Sequence, residues 1–263
     1  MKHRTSKRGW LGRGLSTVGC LMLMMMMSCA ACDNLRPVHP QLPTNPSFQN
    51  VVNIQQPLAA SKSVIMMTPR GARAMGAATM LRCEAGQKAY ALTAAHLVTG
   101  YYKYFPKIFP MFLSDHRQGH KFSLQTFKVL RVDTKKDLAL LVSVRKQKEK
   151  CTTVSLSDVD PLLGSRVWAI GAPVGYVKHI TSGVLSSVAK QNSVNIYRSD
   201  VAISPGSSGG GLFNDQGKLI GVVVGQLQKG TNIITGTLYR SVPGFSTIVA
   251  LKSVKEFLGN SYE

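Results

Sequence analysis

Short apolar runs, broken by glycine and polar residues, dominate the chain from about residue 63 onward. The runs are rich in Val, Ile, Leu, Thr and Ala. Regularly spaced short strands with turns between them indicate a β sandwich or a β barrel. The predicted strands are Ser63–Met67, Ala77–Cys83, Lys88–Thr93, Phe122–Val132, Asp137–Val144, Arg166–Gly171, Ile180–Val188, Val194–Tyr197 and Lys218–Gly225.

One stretch near the end of the chain has a different period. Its apolar residues recur at helical spacing, which predicts a helix over Thr247–Leu258. The basic segment Arg145–Lys150 contains no apolar run. It therefore predicts a boundary between two halves of the folded part, residues 62–150 and residues 151–263.

The first 32 residues have the order of a secretory signal. A basic start is followed by a run without charge over Gly14–Ala31, and small residues over Ser28–Cys32 close the segment. A permanent membrane anchor is the alternative, because the uncharged run is close to the shortest length that spans a bilayer. We expect an exported protein, located in the periplasm or elsewhere in the cell envelope.

Cys32 follows two alanines, an arrangement that resembles the cleavage box of bacterial lipoproteins. Lipidation of Cys32 would attach the chain to a membrane. The Pro-rich segment 33–61 would then be a poorly packed tether. Cys29 stands at the −3 position, where lipoproteins usually carry Leu, so ordinary cleavage without a lipid is the alternative.

The net charge of the chain limits the classes of molecule that we expect it to bind. The formal net charge is +20, and such a surface attracts anionic lipid, cell-wall polymers or acidic protein. Nucleic acid would bind it only weakly, and we do not expect nucleic acid as a partner.

Export permits a disulfide between Cys83 and Cys151, although two free thiols fit the sequence equally well. The sequence has no zinc-site spacing, so we expect no metal.

A histidine, an aspartate and a serine occupy three segments in that order. His96 follows the end of a predicted strand, Asp137 opens another, and Ser208 lies in the Gly-rich segment Ser204–Gly211. A hydroxyl needs a neighbouring base to become a nucleophile, and the base needs a carboxylate that orients it. Flanking glycines allow successive N–H groups to converge on an oxyanion.

These segments, together with 167–175, 180–186, 199–205 and 217–222, resemble the trypsin-like (chymotrypsin-fold) serine proteases, and most of all the HtrA/Deg branch. The resemblance covers about Ser63 to Leu258. It implies an all-β chain of two six-stranded antiparallel β-barrels with a C-terminal helix. The barrel over 62–150 would carry His96 and Asp137, and the barrel over 151–263 would carry Ser208.

The resemblance also implies roles for single residues. Ser208 would be the nucleophile, His96 the general base and then the general acid, and Asp137 the group that orients His96. The N–H groups of Gly206 and Ser208, with that of Ser207 nearby, would form the oxyanion hole. The implied activity is that of a serine endopeptidase acting on protein or peptide, without a cofactor. No PDZ domain is expected after the helix, and the oligomeric state is not implied.

Two positions depart from the digestive relatives. Ala202 stands where trypsin-type enzymes carry Asp, and an apolar pocket disfavours Lys or Arg, so we predict cleavage after small or aliphatic residues. Ser207 replaces an Asp that pairs with a newly cut N-terminus, so activation by that route is not expected. The predicted substrate-binding residues are Val201, Ala202, Ile203, Ser204, Val222, Val223, Val224 and Gly225.

Two other functions fit parts of the sequence. A protease fold can be retained as an inactive binding module, although a module of this kind usually lacks a member of the triad. Alternatively, the basic surface itself could be the function, in a protein that binds polyanions. A lipase or esterase does not fit, because its chain order is Ser, acid, His and its helices alternate with strands.

Overall fold

Two antiparallel sheets hold most of the regular structure in residues 54–68, 71–102, 111–114, 124–173, 178–226, 230–231, 238–239 and 244–259, which the computed structural model describes. The helices are α1 (Gln55–Ala60), α2 (His96–Tyr102) and α3 (Leu251–Leu258). The strands are β1 (Ser61–Thr68), β2 (Gly71–Arg82), β3 (Tyr90–Ala94), β4 (Met111–Ser114), β5 (Leu124–Asp133), β6 (Leu138–Ser143), β7 (Arg166–Gly171), β8 (His179–Gln191), β9 (Val194–Ser199), β10 (Gly211–Phe213), β11 (Leu219–Gln226), β12 (Gly230–Thr231), β13 (Leu238–Tyr239) and β14 (Ser246–Ala250). No helix within these ranges is long and apolar enough to cross a membrane.

Strands β1 to β6 form the first barrel. Their order is β1-β2-β3-β6-β5-β4, and pairing of β4 with β1 closes the ring. Every residue of β6 is buried. Its leucines belong to the same apolar cluster as Ile170 and Val222 of the second sheet. The two sheets therefore share a core, and this core fixes the strands that carry His96 and Asp137.

The second sheet follows in the chain. Its order is β10-β11-β14-β9-β8-β7, and β7 also pairs with β10. Leu185, Tyr197 and Leu212 lie in a separate buried cluster of this sheet. The mostly β architecture with a C-terminal helix confirms the sequence prediction in these respects.

The terminal helix is shorter than predicted. It begins at Leu251, whereas residues 246–250 form β14, which pairs with β9 and β11. Thr247, Ile248 and Val249 are β-branched, and such side chains pack well on a pleated surface. The prediction was wrong for these residues, because their apolar spacing fits a helix as well as a buried strand.

The C-terminal end of α3 contacts Arg131 of the first barrel. Its buried face includes Val254 and Phe257. Arg131 of β5 donates a hydrogen bond of 2.6 Å to the Leu258 carbonyl, and its guanidinium lies 4.9 Å from the centre of the Phe257 ring. A cation at the C-terminal end of a helix satisfies an unpaired carbonyl and complements the helix dipole.

The end of the predicted tether is ordered. Residues 55–60 form α1, and Pro57 and Ala60 are buried in it. A proline is tolerated in the first turn of a helix, where its missing N–H would have no partner. The predicted signal 1–32, with Cys32, and the tether up to residue 53 lie outside the described residues.

A disulfide joins Cys83 to Cys151, a pairing that the sequence alone left open. Cys83 lies directly after β2 and is fully buried. Cys151 lies in the segment that leads from β6 to β7. The bridge therefore ties the connection between the two sheets to the first barrel.

Candidate active site

His96 is placed by the end of β3. The strand ends at Ala94, and His96 is the first residue of α2. The N–H groups in the first turn of a helix have no partner within the helix, so the His96 N–H is free to bond elsewhere. Ala95 N–H donates to the Asp137 carbonyl at 3.1 Å, which brings the turn after β3 against the start of β6.

Asp137 directly precedes β6 and has a left-handed backbone with φ of 55°. Few residues other than Gly adopt this conformation readily, and Asp and Asn are among those that do. Asp133 forms the preceding turn, because its Oδ1 accepts from the N–H groups of Lys135 at 3.0 Å and Lys136 at 2.9 Å. Burial acts to raise the pKa of Asp133, but hydrogen bonds and the charge of Lys136 outweigh it and lower that pKa.

The carboxylate of Asp137 bonds to His96 twice. Oδ1 accepts from the His96 backbone N–H at 2.7 Å, and Oδ2 lies 2.7 Å from Nδ1 of the ring. A carboxylate only accepts hydrogen bonds, so this contact assigns the proton to Nδ1 and leaves Nε2 with a free lone pair. This is the tautomer that a general base needs.

The loop with Ser208 is held against the first barrel. The Ser208 carbonyl accepts from Ala77 N–H of β2 at 2.8 Å. Thr93 donates to the Ala77 carbonyl at 2.7 Å, three residues before His96. Gly209 has φ of +82°, and a Cβ on it would come within 2.1 Å of the Ala77 carbonyl oxygen. Glycine is required at 209 for both reasons.

These hydrogen bonds hold the Ser208 loop next to the end of β3, but the side chains of Ser208 and His96 are not bonded to each other. Within the described residues, no hydrogen bond joins the Ser208 hydroxyl to the His96 ring. Catalytic hydrogen bonds are commonly long in a resting enzyme and shorten when substrate binds. The His96 side chain is 44% exposed and the Asp137 side chain 29%, so the ring is accessible from solvent.

Two N–H groups of the serine loop are available to an oxyanion. The N–H groups of Gly206 and Ser208 have no hydrogen-bond partner in the part of the chain that the structure describes. Unpaired backbone N–H groups are uncommon in folded proteins, so two in one loop indicate a binding role. Gly206 has φ of 100°, a conformation that glycine adopts readily.

Ser207 does not offer a third donor, which corrects the sequence prediction. Its N–H donates to the Ser204 carbonyl at 2.9 Å, and its hydroxyl accepts from Ser204 N–H at 3.2 Å. The Gly206 carbonyl, in the same peptide unit as this N–H, accepts from Ala172 at 3.2 Å. The peptide between Gly206 and Ser207 is thus held at both its polar groups.

Gly171 and Ala172 lie in segment 167–175, for which the resemblance predicted no individual roles. A Cβ at Gly171 would come within 2.7 Å of the Ser207 Cα, so the β7 end packs tightly under the serine loop. Asp200 was also missed. Its Oδ1 accepts from Val184 N–H at 2.7 Å, which fixes the chain before Val201 to β8. The sequence feature that could have indicated these contacts is the glycine at each of them, Gly171 beside Ser207 and Gly183 beside Asp200.

A small cavity lies beside the serine loop. Its volume is about 10 Å³, room for roughly one water molecule. Thr181 donates to the Ala202 carbonyl at 2.8 Å and so ties one wall to β8. The lining residues are Ala169, Ile170, Gly171, His179, Thr181, Ala202, Ile203, Ser207 and Val223.

The cavity includes only part of the predicted substrate wall. Ala202, Ile203 and Val223 line it, but Val201 and Val222 do not. Both valines are fully buried within the apolar clusters, so their side chains face the core. Their part in the substrate wall stays a prediction, for their backbone groups. Ser204 is exposed, and Val224 and Gly225 are half-buried.

The part of the chain that holds these site residues is similar to a known protein family and to known proteins. The family model described as a trypsin-like peptidase domain matches residues 83–222, which include His96, Asp137 and Ser208. A probable periplasmic serine endoprotease, DegP-like, of Hahella chejuensis is 34% identical over 138 residues, or 51% of this chain and 26% of the relative. The periplasmic serine endoprotease DegP of Salmonella typhimurium is 34% identical over 141 residues, 51% of this chain and 27% of its own.

Solved structures show the same fold. The HtrA-type protease AlgW with tripeptide matches with a TM-score of 0.59 and 21% identity, over 80% of this chain and 62% of that one. A serine endoprotease from Yersinia pestis matches with a TM-score of 0.59 and 19% identity, over 81% of this chain and 65% of its own. The chain spans about a quarter of the length of the DegP relatives that it matches.

Proposed function

The chain belongs to the trypsin-like peptidase family, and on that premise we propose that it is an exported serine endopeptidase of the HtrA/DegP type. It cleaves peptide bonds through an acyl-enzyme on Ser208. The observation that carries this proposal is the double contact of Asp137 with His96, at 2.7 Å to the backbone N–H and 2.7 Å to Nδ1. The imidazole held in this way is accessible from solvent, as a group that exchanges protons with a substrate must be.

The mechanism follows from the roles of the three side chains. Nε2 of His96 accepts the Ser208 proton while Oγ attacks the peptide carbonyl, and Asp137 stabilises the imidazolium that forms. The N–H groups of Gly206 and Ser208 donate to the oxyanion of the tetrahedral intermediate. His96 then gives its proton to the leaving amine. Water attacks the acyl-enzyme with His96 again as base, which releases the acid and restores Ser208.

The substrate preference follows from the cavity beside the serine loop. Ala202 and Ile203 line this cavity together with Thr181 and Ser207, and it has room for about one water molecule, which favours a small side chain. An unpaired Lys or Arg in such a site would lose its hydration without gaining a counter-ion. We therefore propose cleavage after small or aliphatic residues.

We also propose the domain layout and location that the sequence predicts. Residues 1–32 are a signal of lipoprotein type ending at Cys32, and a Pro-rich tether follows it. Two barrels follow, over 62–150 and 151–263, and the ring of pairings in the second sheet supports the two-barrel arrangement. The curated relatives named above are periplasmic, which supports export. Lipidation of Cys32 would add membrane attachment.

The test is labelling of the full chain with a fluorophosphonate probe, with the adduct mapped by mass spectrometry. Wild type is expected to be labelled at Ser208, and His96→Ala and Ser208→Ala are expected to lose the label. Ser155→Ala, which changes an exposed serine with no side-chain hydrogen bond among the described residues, is the matched control and should label as wild type does. A folded wild type that takes no label would contradict the proposal and favour the inactive binding module.

A further inference from the structure

Basic side chains are concentrated at one end of the first barrel. This basic end consists of the last residue of β2, the loop 83–89 that follows it, residues 144–150 after β6, and Lys128 of β5. It holds seven cations and two carboxylates, which give it a strongly positive local charge. The cations are Arg82, Lys88, Lys128, Arg145, Lys146, Lys148 and Lys150, and the carboxylates are Glu84 and Glu149.

The two loops of the basic end are joined by their backbones. Gly86 N–H donates to the Gln147 carbonyl at 2.8 Å, and Gln147 N–H donates to the Gln87 carbonyl at 2.7 Å. The Gln147 side chain is turned inward and is 8% exposed, while Lys146 and Lys148 on either side of it are exposed. The cationic side chains therefore extend from an ordered backbone, so little backbone entropy is lost when a partner binds.

Most of these charges are not neutralised within the protein. Lys150 forms an ion pair with Glu84 at 3.2 Å. Within the described residues, Arg145, Lys146 and Lys148 have no ion pair. A set of exposed like charges lowers the stability of a fold through mutual repulsion, so its presence on an ordered frame favours a role in attraction.

The basic end lies opposite the catalytic end of the same strands. His96 follows the last residue of β3, and Asp137 precedes the first residue of β6. The opposite ends of these paired strands, Tyr90 and Val142, lead into the two basic loops. Five residues of strand separate the two ends, a distance of about 16 Å. A surface that meets the basic end therefore leaves His96 and Asp137 facing away from it.

The N-terminal segment joins the fold beside the basic end. Gln56 of α1 donates to the Thr153 carbonyl at 3.0 Å, and Thr153 is three residues from Lys150. The described part of the chain therefore begins close to the basic end, and the segment before residue 54 enters the fold there.

We propose that the basic end is a docking surface for the anionic headgroups of a lipid bilayer. Lysine and arginine side chains bind anionic lipid surfaces through long-range attraction that does not require a shaped pocket. The sequence of the two loops contains no aromatic residue, so the stacking contacts that bind single-stranded nucleic acid are missing from it. The docked protein holds its catalytic groups on the side away from the bilayer.

The test is hydrogen–deuterium exchange of the full chain on vesicles. Because a lipid on Cys32, or the uncharged run Gly14–Ala31 of the unprocessed chain, is expected to hold the protein on any bilayer, the readout is local protection rather than binding. Vesicles with about a third phosphatidylglycerol are compared with vesicles of pure phosphatidylcholine. We expect several-fold slower exchange over residues 84–88 and 145–150 on the anionic vesicles alone, with no change over 204–210. Raising the salt to about 0.5 M should abolish the difference.

Two charge-reversal variants decide whether the effect is local. Lys146→Glu/Lys148→Glu is expected to lose the protection. Lys190→Glu/Lys252→Glu makes the same change in net charge at exposed positions elsewhere and is expected to keep it. Equal behaviour of the two variants, protection on neutral vesicles, or no protection on any vesicle would overturn the proposal. Equal protection by a single-stranded oligonucleotide would also overturn it, in favour of a general polyanion surface.

Discussion

Asp137 holds His96 by both of its carboxylate oxygens, one on the backbone N–H and one on the ring, each at 2.7 Å. The two contacts fix different degrees of freedom. The first fixes where the histidine leaves β3, and the second fixes the rotation and tautomer of its ring. A single residue thus sets both the position and the protonation pattern of the proposed base.

Asp137→Asn is expected to lower kcat about 10³- to 10⁴-fold, with little change in KM. Asn tolerates the left-handed backbone at this position, so the fold should survive. An amide has only one acceptor oxygen, so it cannot receive both His96 donors, and the ring loses its fixed tautomer. The measurement is steady-state hydrolysis of a peptide substrate with a small residue before the scissile bond. A loss smaller than tenfold would remove Asp137 from its proposed role.

Ser207→Ala removes the hydroxyl that accepts from Ser204 N–H. The loss of one such hydrogen bond costs about 1 kcal/mol, so we expect kcat to fall about fivefold with KM nearly unchanged. Ser207→Thr, which keeps a hydroxyl, should recover part of the rate, and Ser155→Ala serves as the control. If Ser207→Ala changes KM rather than kcat, the hydroxyl contacts substrate and does not position the oxyanion donors.

Gly209→Ala tests how the serine loop is seated. The new Cβ would collide with the Ala77 carbonyl at 2.1 Å and with Thr93 Oγ1 at 2.2 Å. The variant should lose labelling of Ser208 and be destabilised by more than about 2 kcal/mol. Gly86→Ala is the matched control, because Gly86 also has a positive φ but no atom within 4 Å of the new Cβ. Urea unfolding of both variants separates steric conflict from backbone strain, which alone costs about 1 kcal/mol.

Reduction of the Cys83–Cys151 disulfide is expected to lower the free energy of unfolding. The bridged residues are separated by 68 positions, and a loop of that length corresponds to about 4 kcal/mol in the chain-entropy model. The measurement is urea unfolding with and without reductant. In the Cys83→Ala/Cys151→Ala variant the reductant should have no effect. An equal effect of reductant on that variant would show that the bridge is not the cause.

Asp133→Asn should reveal the contribution of the turn before Asp137. Burial opposes the charged carboxyl, but the bonds from Lys136 and Lys135 dominate and place its pKa below the ordinary value of 3.8. Its stabilisation is therefore present above about pH 4 and is lost as pH falls through the lower folded pKa. The variant should be less stable than wild type at neutral pH, and the difference should shrink in acid. Glu149→Gln, which neutralises one carboxylate at an exposed position, is the control variant.

The sequence predicted most of what depends on local pattern. The alternating and buried runs located the long strands, and the residue order His, Asp, Ser included His96 and Asp137, whose side chains the structure brings into contact. The terminal helix was extended too far, because Ile248 and Val249 are buried in the sheet and the period of a fully buried strand is ambiguous. Residues 55–60 were predicted as tether, because the packing that makes them a helix comes from distant parts of the chain.

Features set by the orientation of single peptides were not predictable. That the Ser207 N–H is satisfied while those of Gly206 and Ser208 are free depends on the orientation of one peptide. Its N–H donates to the Ser204 carbonyl, and its Gly206 carbonyl accepts from the N–H of Ala172, 34 residues away. Likewise, a strand pattern identifies Val222 and Val223 as neighbours, but it does not say that Val222 joins the core shared by the two sheets and Val223 the separate cluster of the second sheet. These orientations are set by the register of each strand and by the elements packed against it, which the sequence pattern does not specify.

The backbone bond between Ser208 and Ala77 also bears on how the protein matures. His96 and Asp137 come from the first barrel, while the serine and its N–H donors come from the chain just before β10. Under the proposed mechanism neither half carries a complete set of reacting groups, so a partly folded chain cannot cleave itself or its neighbours. The proposed activity would then require the two halves to pack together, and the bond between Ser208 and Ala77 would form only in the completed fold.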